Sequence, residues 1–129
     1  MTRQGAIKGI ETGAGLVRRS CINGAQLIGT GDIGIGNTTP SAAIICALSG
    51  KAPASLTGRG TGIDDETLSR KIAAIETALN VGEPDPDDPV DVLSKVGGYE
   101  IRGLPARFSE RPPPGLPLYA TTLSPRQAL

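Results

Sequence analysis

Eight of the chain's 18 glycines lie between Gly29 and Gly62, in a segment that from Gln26 reads QLIGTGDIGIGNTTPSAAIICALSGKAPASLTGRGTG. Glycine loses more conformational freedom on folding than any other residue. A dense, aperiodic run of it inside a globular chain therefore selects folds in which the backbone itself approaches something closely. The first half of the run ends in Asn37-Thr38-Thr39-Pro40, a helix-start signal. Main-chain N–H groups of a loop that feeds a helix N-terminus form an anion site.

The remainder of the composition narrows the classes. A length of 129 residues is one domain's worth of chain, or a piece of a larger domain. Lys+Arg and Asp+Glu are 13 each, so nothing in the net charge suggests nucleic-acid binding. There is no histidine, which excludes Ser-His-Asp and Cys-His nucleophile systems and any His-ligated metal within these residues. No cofactor is indicated. Cys21 and Cys46 lack CxxC spacing and read as buried free thiols of a cytoplasmic protein. No apolar run reaches membrane-spanning length, and no signal-peptide pattern follows Met1. The only aromatics are Tyr99, Phe108 and Tyr119, so the core must be aliphatic and thin. The acids Glu83, Asp85, Asp87, Asp88 and Asp91 read as a solvated loop.

Periodicity places four helices. The first runs from Thr2, as cap, to about Cys21, with Ile7, Ile10, Ala14 and Val17 as its apolar stripe. Gly5, Gly9, Gly13 and Gly15 weaken it by roughly 1 kcal/mol each relative to Ala. Asn23-Gly24 closes it, and residues 25–29 form a short buried strand. The second helix starts near Thr39-Pro40 with Thr38 or Thr39 as cap, and ends at Gly50. Its body, residues 42–48, is apolar nearly all round and should be buried. Residues 51–62 read as a loop. The third helix opens on Asp64-Asp65-Glu66 and carries Leu68, Ile72, Ile75 and Leu79 on one stripe. Pro89 opens a short fourth helix through Val90, Leu93 and Val96, stopped by Gly97-Gly98. Six of 11 prolines fall between Pro105 and Pro125, and residues 102–129 read as a disordered Pro/Arg-rich tail.

Gly29-Thr30-Gly31-Asp32-Ile33-Gly34 matches GxGxxG in form. It is a poor dinucleotide fingerprint, because the helix begins late, an acid sits inside the loop, and no Asp or Glu stands about 20 residues on. The Walker pattern fails for want of Gly-Lys-Ser/Thr. Two readings stay open. In one, Gly34 and Gly36 let the backbone close on a phosphate monoester that Asn37, Thr38 and Thr39 help to hold. In the other, the segment is a tight turn with an ordinary helix cap. Asp32 either accepts from ribose hydroxyls and steadies developing positive charge on a sugar, or makes an Asx-turn. Lys71, beside Ile72, is a point charge within reach of a phosphate, or a surface lysine. Arg59 is an anion clamp or a solvated side chain.

Three blocks, GTGDIGIGNTTPSAA, LTGRGTGIDDETLSRKIAAI and DPVDVLSKVGGYEI, resemble in order and separation the nicotinate-nucleotide–dimethylbenzimidazole phosphoribosyltransferase family. The likeness covers residues 1–101, about the middle third of such an enzyme. It implies an α/β fold with a parallel sheet in three layers, of which this piece keeps mostly helices and one strand. It divides the chain into a partial phosphoribosyltransferase domain, 1–101, and a non-family tail, 102–129, of the kind a change of reading frame produces. It also implies a cytoplasmic homodimer of cobalamin biosynthesis acting on small molecules. Nicotinate mononucleotide and 5,6-dimethylbenzimidazole would give alpha-ribazole 5′-phosphate and nicotinate, with inversion at the anomeric carbon. Gly34, Gly36, Asn37, Thr38 and Thr39 would hold the phosphoribosyl part. Lys71 matches a phosphate-side lysine of the family, and Asp32 a position where relatives often carry Glu. The family's catalytic glutamate stands well downstream of the GGYEI-like block and has no counterpart here. The chain is therefore expected to turn over little alone. The alternative is a non-catalytic binder of phosphate or mononucleotide.

Overall fold

The first helix, α1 (Arg3–Ile22), begins where Thr2 folds its hydroxyl back to accept from the Gly5 amide at 3.1 Å. The hydroxyl satisfies one of the orphan donors of the first turn. The helix stops at Asn23. Gly24 takes the left-handed region (φ +85°), and Ala25 reaches back to the Ser20 carbonyl at 3.0 Å. The computed structural model describes residues 1–31, 35–104 and 118–120. Further along lie β1 (Ile28–Thr30), α2 (Thr38–Ser49), the single turn α3 (Pro53–Leu56), α4 (Asp65–Gly82) and α5 (Pro89–Val96). A 3₁₀ turn (Ile101–Gly103) and β2 (Leu118–Ala120) complete the described elements. No described helix is long and apolar enough to cross a membrane.

The centre of the molecule is the junction of α2, α4 and α5. Ala42, Ala43, Ile75, Val92 and Val96 form one buried cluster, flanked by Ile44, Ala47, Ala78 and Leu79. This is the aliphatic core that the composition demands. Ile75 of the α4 stripe is 1% exposed. On α5 the buried set is Val92, Leu93, Ser94 and Val96, so the stripe is broader than the expected Val90, Leu93 and Val96. α5 starts where Asp88 accepts from the amides of Val90 and Asp91, at 3.0 and 3.1 Å. An ion pair from Arg3 to Asp88 (2.6 Å) and a bond from the Met1 ammonium to the Ser94 carbonyl (2.6 Å) lay α1 across α5.

Several expectations are corrected. The face that α1 buries is Ala6, Gly9, Gly13 and Val17, while Ile7 is exposed. Two of the four glycines read as a weakness, Gly9 and Gly13, have a neighbour against them: a Cβ at Gly9 would meet the Arg102 side chain, and one at Gly13 would collide with the Gly103 backbone. α2 is not buried all round. Its Ala42, Ala43 and Cys46 face inward, and Ile45 and Leu48 are 52% and 49% exposed, because α4 and α5 cover only one side. The cap of α2 is Asn37 rather than Thr38 or Thr39, and residues 51–62 contain the turn α3. The strand sits at Ile28–Thr30, shifted from the expected 25–29.

Part of the stretch expected to be unstructured is ordered. Arg102 and Gly103 belong to the 3₁₀ turn packed on α1. Leu118–Ala120 pairs parallel to β1 in the register Ile28 with Leu118, Gly29 with Tyr119 and Thr30 with Ala120. Proline density masks such short pairing from a periodicity argument. Cys46 is buried and Cys21 half-buried, both as free thiols. Burial pushes the Cys46 thiol up.

Candidate anion-binding site

The mouth of α2 is shaped by Gly36, whose φ of +101° lies in the left-handed region that favours glycine. This turn brings Asn37 into helical geometry (φ −64°, ψ −23°) before the helix proper, which is why the cap falls one residue earlier than the threonines. The Asn37 side chain makes no capping bond to the helix. The Thr39 amide turns to the Gly36 carbonyl at 3.3 Å, and the Ser41 amide and hydroxyl both turn to the Asn37 carbonyl, at 3.2 and 2.9 Å. Pro40 has no N–H to offer. The helix mouth therefore carries fewer unengaged amides than a glycine-rich entry predicts.

What the tertiary structure adds is a cation. Lys71 projects from α4 across to α2, and its Nζ donates to Thr38 Oγ1 at 2.8 Å and to the Gly58 carbonyl at 3.0 Å. Residues 33 and 13 positions apart in sequence are thereby joined at one point. The ammonium has three donors, of which two are used here. Among the described residues no carboxylate pairs with it. Burial of the half-exposed side chain pulls its pKa below the ordinary lysine value. A partly desolvated ammonium with no carboxylate partner among the described residues favours an anion as its next neighbour. Thr38, accepting from Lys71, keeps its own hydroxyl hydrogen to donate.

Gly60 stands at the same point with φ +59°, and a Cβ there would lie 3.2 Å from Thr38 Oγ1 and 3.8 Å from Lys71 Nζ. Arg59 points the other way. Its Nη1 donates to the Ile63 carbonyl at 2.8 Å and its Nη2 pairs with Asp65, so the guanidinium braces the start of α4. Next to it, Asp64 caps α4 by accepting from the Thr67 amide at 2.7 Å.

Of the residues expected from sequence, Gly36, Asn37, Thr38 and Thr39 line the α2 mouth, and Lys71 is brought onto Thr38. Asp32 and Gly34 lie outside the described residues. Gly58 and Gly60 were missed. Their signal is the alternation Gly58-x-Gly60-x-Gly62 on either side of Arg59. A separate cavity of about 340 Å³ lies between α1 and residues 99–104, lined in part by Lys8, Thr12, Gly31 and Glu100. It shares no lining residue with the Lys71 cluster.

Comparison with known proteins gives one answer throughout. A family model described as "Phosphoribosyltransferase" matches residues 1–108. The nicotinate-nucleotide–dimethylbenzimidazole phosphoribosyltransferase of Geotalea uraniireducens (strain Rf4) is 56% identical over 104 residues, covering 81% of this chain and 30% of its own length. The protein of the same name from Geobacter sulfurreducens is 53% identical over the same shares. The crystal structure of CobT from Thermus thermophilus superposes with a TM-score of 0.82 at 38% identity, over 94% of this chain and 36% of that one. The chain thus spans about 30% of the length of the curated relatives it matches. Within that span, the mostly helical arrangement with a small parallel sheet and the match over residues 1–108 make it a member of the nicotinate-nucleotide–dimethylbenzimidazole phosphoribosyltransferase family.

Proposed function

We propose that these residues form the phosphate-holding part of an enzyme that transfers phosphoribose from nicotinate mononucleotide to 5,6-dimethylbenzimidazole. The observation that carries the reading is Lys71 Nζ placed 2.8 Å from Thr38 Oγ1, at the glycine-lined start of α2. The substrate's phosphate would meet the third ammonium hydrogen and the Thr38 hydroxyl, with Gly36, Asn37 and Thr39 closing the helix side. Gly34 and Asp32 belong to the same proposal through the family block, with Asp32 facing the ribose. Fixing the phosphate and ribose leaves the anomeric carbon free to react. Nicotinate, as a pyridinium, is already a good leaving group, so alignment of the two rings contributes much of the rate. The imidazole proton has to be taken by a base. In this reading the base is a carboxylate from the part of the domain outside the matched 30%.

The proposal extends to a cytoplasmic protein that, like the family, works as a homodimer in cobalamin biosynthesis. Residues 1–108, which the family model matches, would be the family portion, and the stretch beyond them an appended tail. Calorimetry of the purified chain with nicotinate mononucleotide tests the site. Saturable binding that Lys71→Met abolishes is expected, with alpha-ribazole phosphate formation near background. Turnover comparable to a full-length relative would refute the assignment of the base, and undiminished binding by Lys71→Met would refute the site.

A further inference from the structure

We propose that the outer face of α2 and the open parallel pair of β1 and β2 dock a second polypeptide, the rest of a phosphoribosyltransferase domain carried on a separate chain. The proposal rests on family membership and is independent of the role given to Lys71. Residues 38–49 of α2 hold no charged side chain. Ile45 and Leu48, three positions apart, stand exposed on the face turned away from Ala42, Ala43 and Cys46. The other long helices carry charges where they meet solvent, Lys8 and Glu11 on α1 and Arg70 and Glu76 on α4. A helix apolar on every side is one that is covered on every side. α3, α4 and α5 leave the Ile45 face of α2 open. The sheet is equally bare. β1 and β2 run parallel, and parallel sheets occur almost only with helices on both faces. Among the described elements β1 makes its main contact with β2 rather than with a helix, and Leu27 at its start is 60% exposed. Two strands are marginal without further strands or a helix against them. The relatives indicate the occupant. The chain superposes on the Thermus thermophilus structure over 94% of its own length but only 36% of that chain, so the same backbone arrangement exists inside a larger fold. A partner that continues the parallel sheet and lays helices on it is the remaining part of that fold, and this surface already has the shape that receives it.

The Geotalea uraniireducens relative, expressed as the pieces flanking its matched 104 residues, supplies the partner. The full chain, tagged, is co-expressed with these pieces, and the soluble complex is isolated by the tag and sized by light scattering. A complex of one chain with the pieces is expected. Ile45→Glu and Leu48→Glu should each reduce capture at least about tenfold, since each would bury an unpaired charge. Val81→Glu, at a position 81% exposed on α4, should change capture less than about twofold. In the chain alone all three should move the melting temperature by no more than about 3 °C. Soluble pieces that are not captured, or capture that Ile45→Glu and Leu48→Glu leave intact, overturn the proposal. So does a stable homodimer of the chain that those two substitutions dissociate. A chimaera keeps the question decidable if the pieces aggregate before they meet the chain: the matched segment of the relative is replaced by the corresponding segment of this chain. Leu48→Glu should lower the melting temperature of the chimaera by more than about 10 °C. A shift as small as in the chain alone, or no cooperative melt of the unsubstituted chimaera, refutes the docking surface. Formation of alpha-ribazole phosphate bears on the proposed function instead: a complex that assembles without turnover refutes the assignment of the base and supports the docking surface.

Discussion

Two glycines of α1, two positions apart, should respond to alanine with opposite sign. In a helix interior Gly→Ala is worth about 0.8–1.0 kcal/mol of stability, and this gain applies equally to Gly13 and Gly15. Their surroundings differ. At Gly15 a Cβ would meet only Arg19 Nη1, at 3.7 Å, an ordinary contact with the end of a flexible side chain. At Gly13 it would lie 3.0 Å from the Gly103 carbonyl carbon and 3.1 Å from its Cα, and closer still to its oxygen. Those atoms are backbone of the 3₁₀ turn and cannot swing aside. Overpacking of this kind costs about 1–3 kcal/mol. Gly15→Ala should therefore stabilise by up to about 1 kcal/mol, and Gly13→Ala should be between neutral and roughly 2 kcal/mol destabilising. The propensity gain cancels in the difference, which isolates the packing of residues 101–103 on α1. Gly9→Ala should fall between the two, since its Cβ meets the Cγ and Cδ of Arg102, a side chain able to move. Urea unfolding followed by circular dichroism at the helix band measures all three. Equal stabilisation by Gly13→Ala and Gly15→Ala would show that the 3₁₀ turn does not dock on α1 in solution.

The remaining predictions concern the core, acid and alkali. Ile75→Ala should destabilise by about 2–5 kcal/mol, because the neighbours Ala42, Ala43, Val92 and Val96 are too small to refill the space; a loss under about 1 kcal/mol would place the core elsewhere. Asp88 is held below the ordinary carboxylate range first by its bond from Arg3, Asp64 by the Thr67 amide, and Asp91 by the Asp85 amide. Folded pKa values below the unfolded ones mean that this stability is present above about pH 4 and is lost as pH falls through the folded values. The melting temperature should fall over that acid range, and a flat profile down to about pH 2 would contradict these bonds. Lys71 is shifted downward by burial, so phosphate affinity should decline with a midpoint below the ordinary lysine value of about 10.4. Affinity unchanged beyond that pH would remove Lys71 from the site.

Local chemistry wrote some features of this fold in plain view. Thr2, Asp64 and Pro89 start their helices where side-chain oxygens and a missing N–H suit a first turn, and Gly24 and Gly50 end theirs in the left-handed region. The α4 stripe finds the core through Ile75 because burial there follows a helical period. The α1 stripe misleads for the same reason inverted. Periodicity scores apolar side chains, whereas the buried face of α1 is defined by the side chains that Gly9 and Gly13 lack. The half-exposed Ile45 and Leu48 of α2 likewise follow from what surrounds the helix, and this chain spans only 30% of its relatives' length.

The site divides in the same way. Residue types alone displayed the lack of histidine in these 129 residues, the glycine-rich entry to α2, and, through three ordered blocks, the family. Tertiary structure decided which groups meet. It turned Arg59 onto Asp65, set Lys71 on Thr38 and the Gly58 carbonyl, and put the bare Cα of Gly60 beside both. Helix starts and turns depend on neighbours within four or five positions, which a sequence displays. A cation shared between residues 33 positions apart depends on how α2 and α4 pack, and that packing is a property of the whole chain.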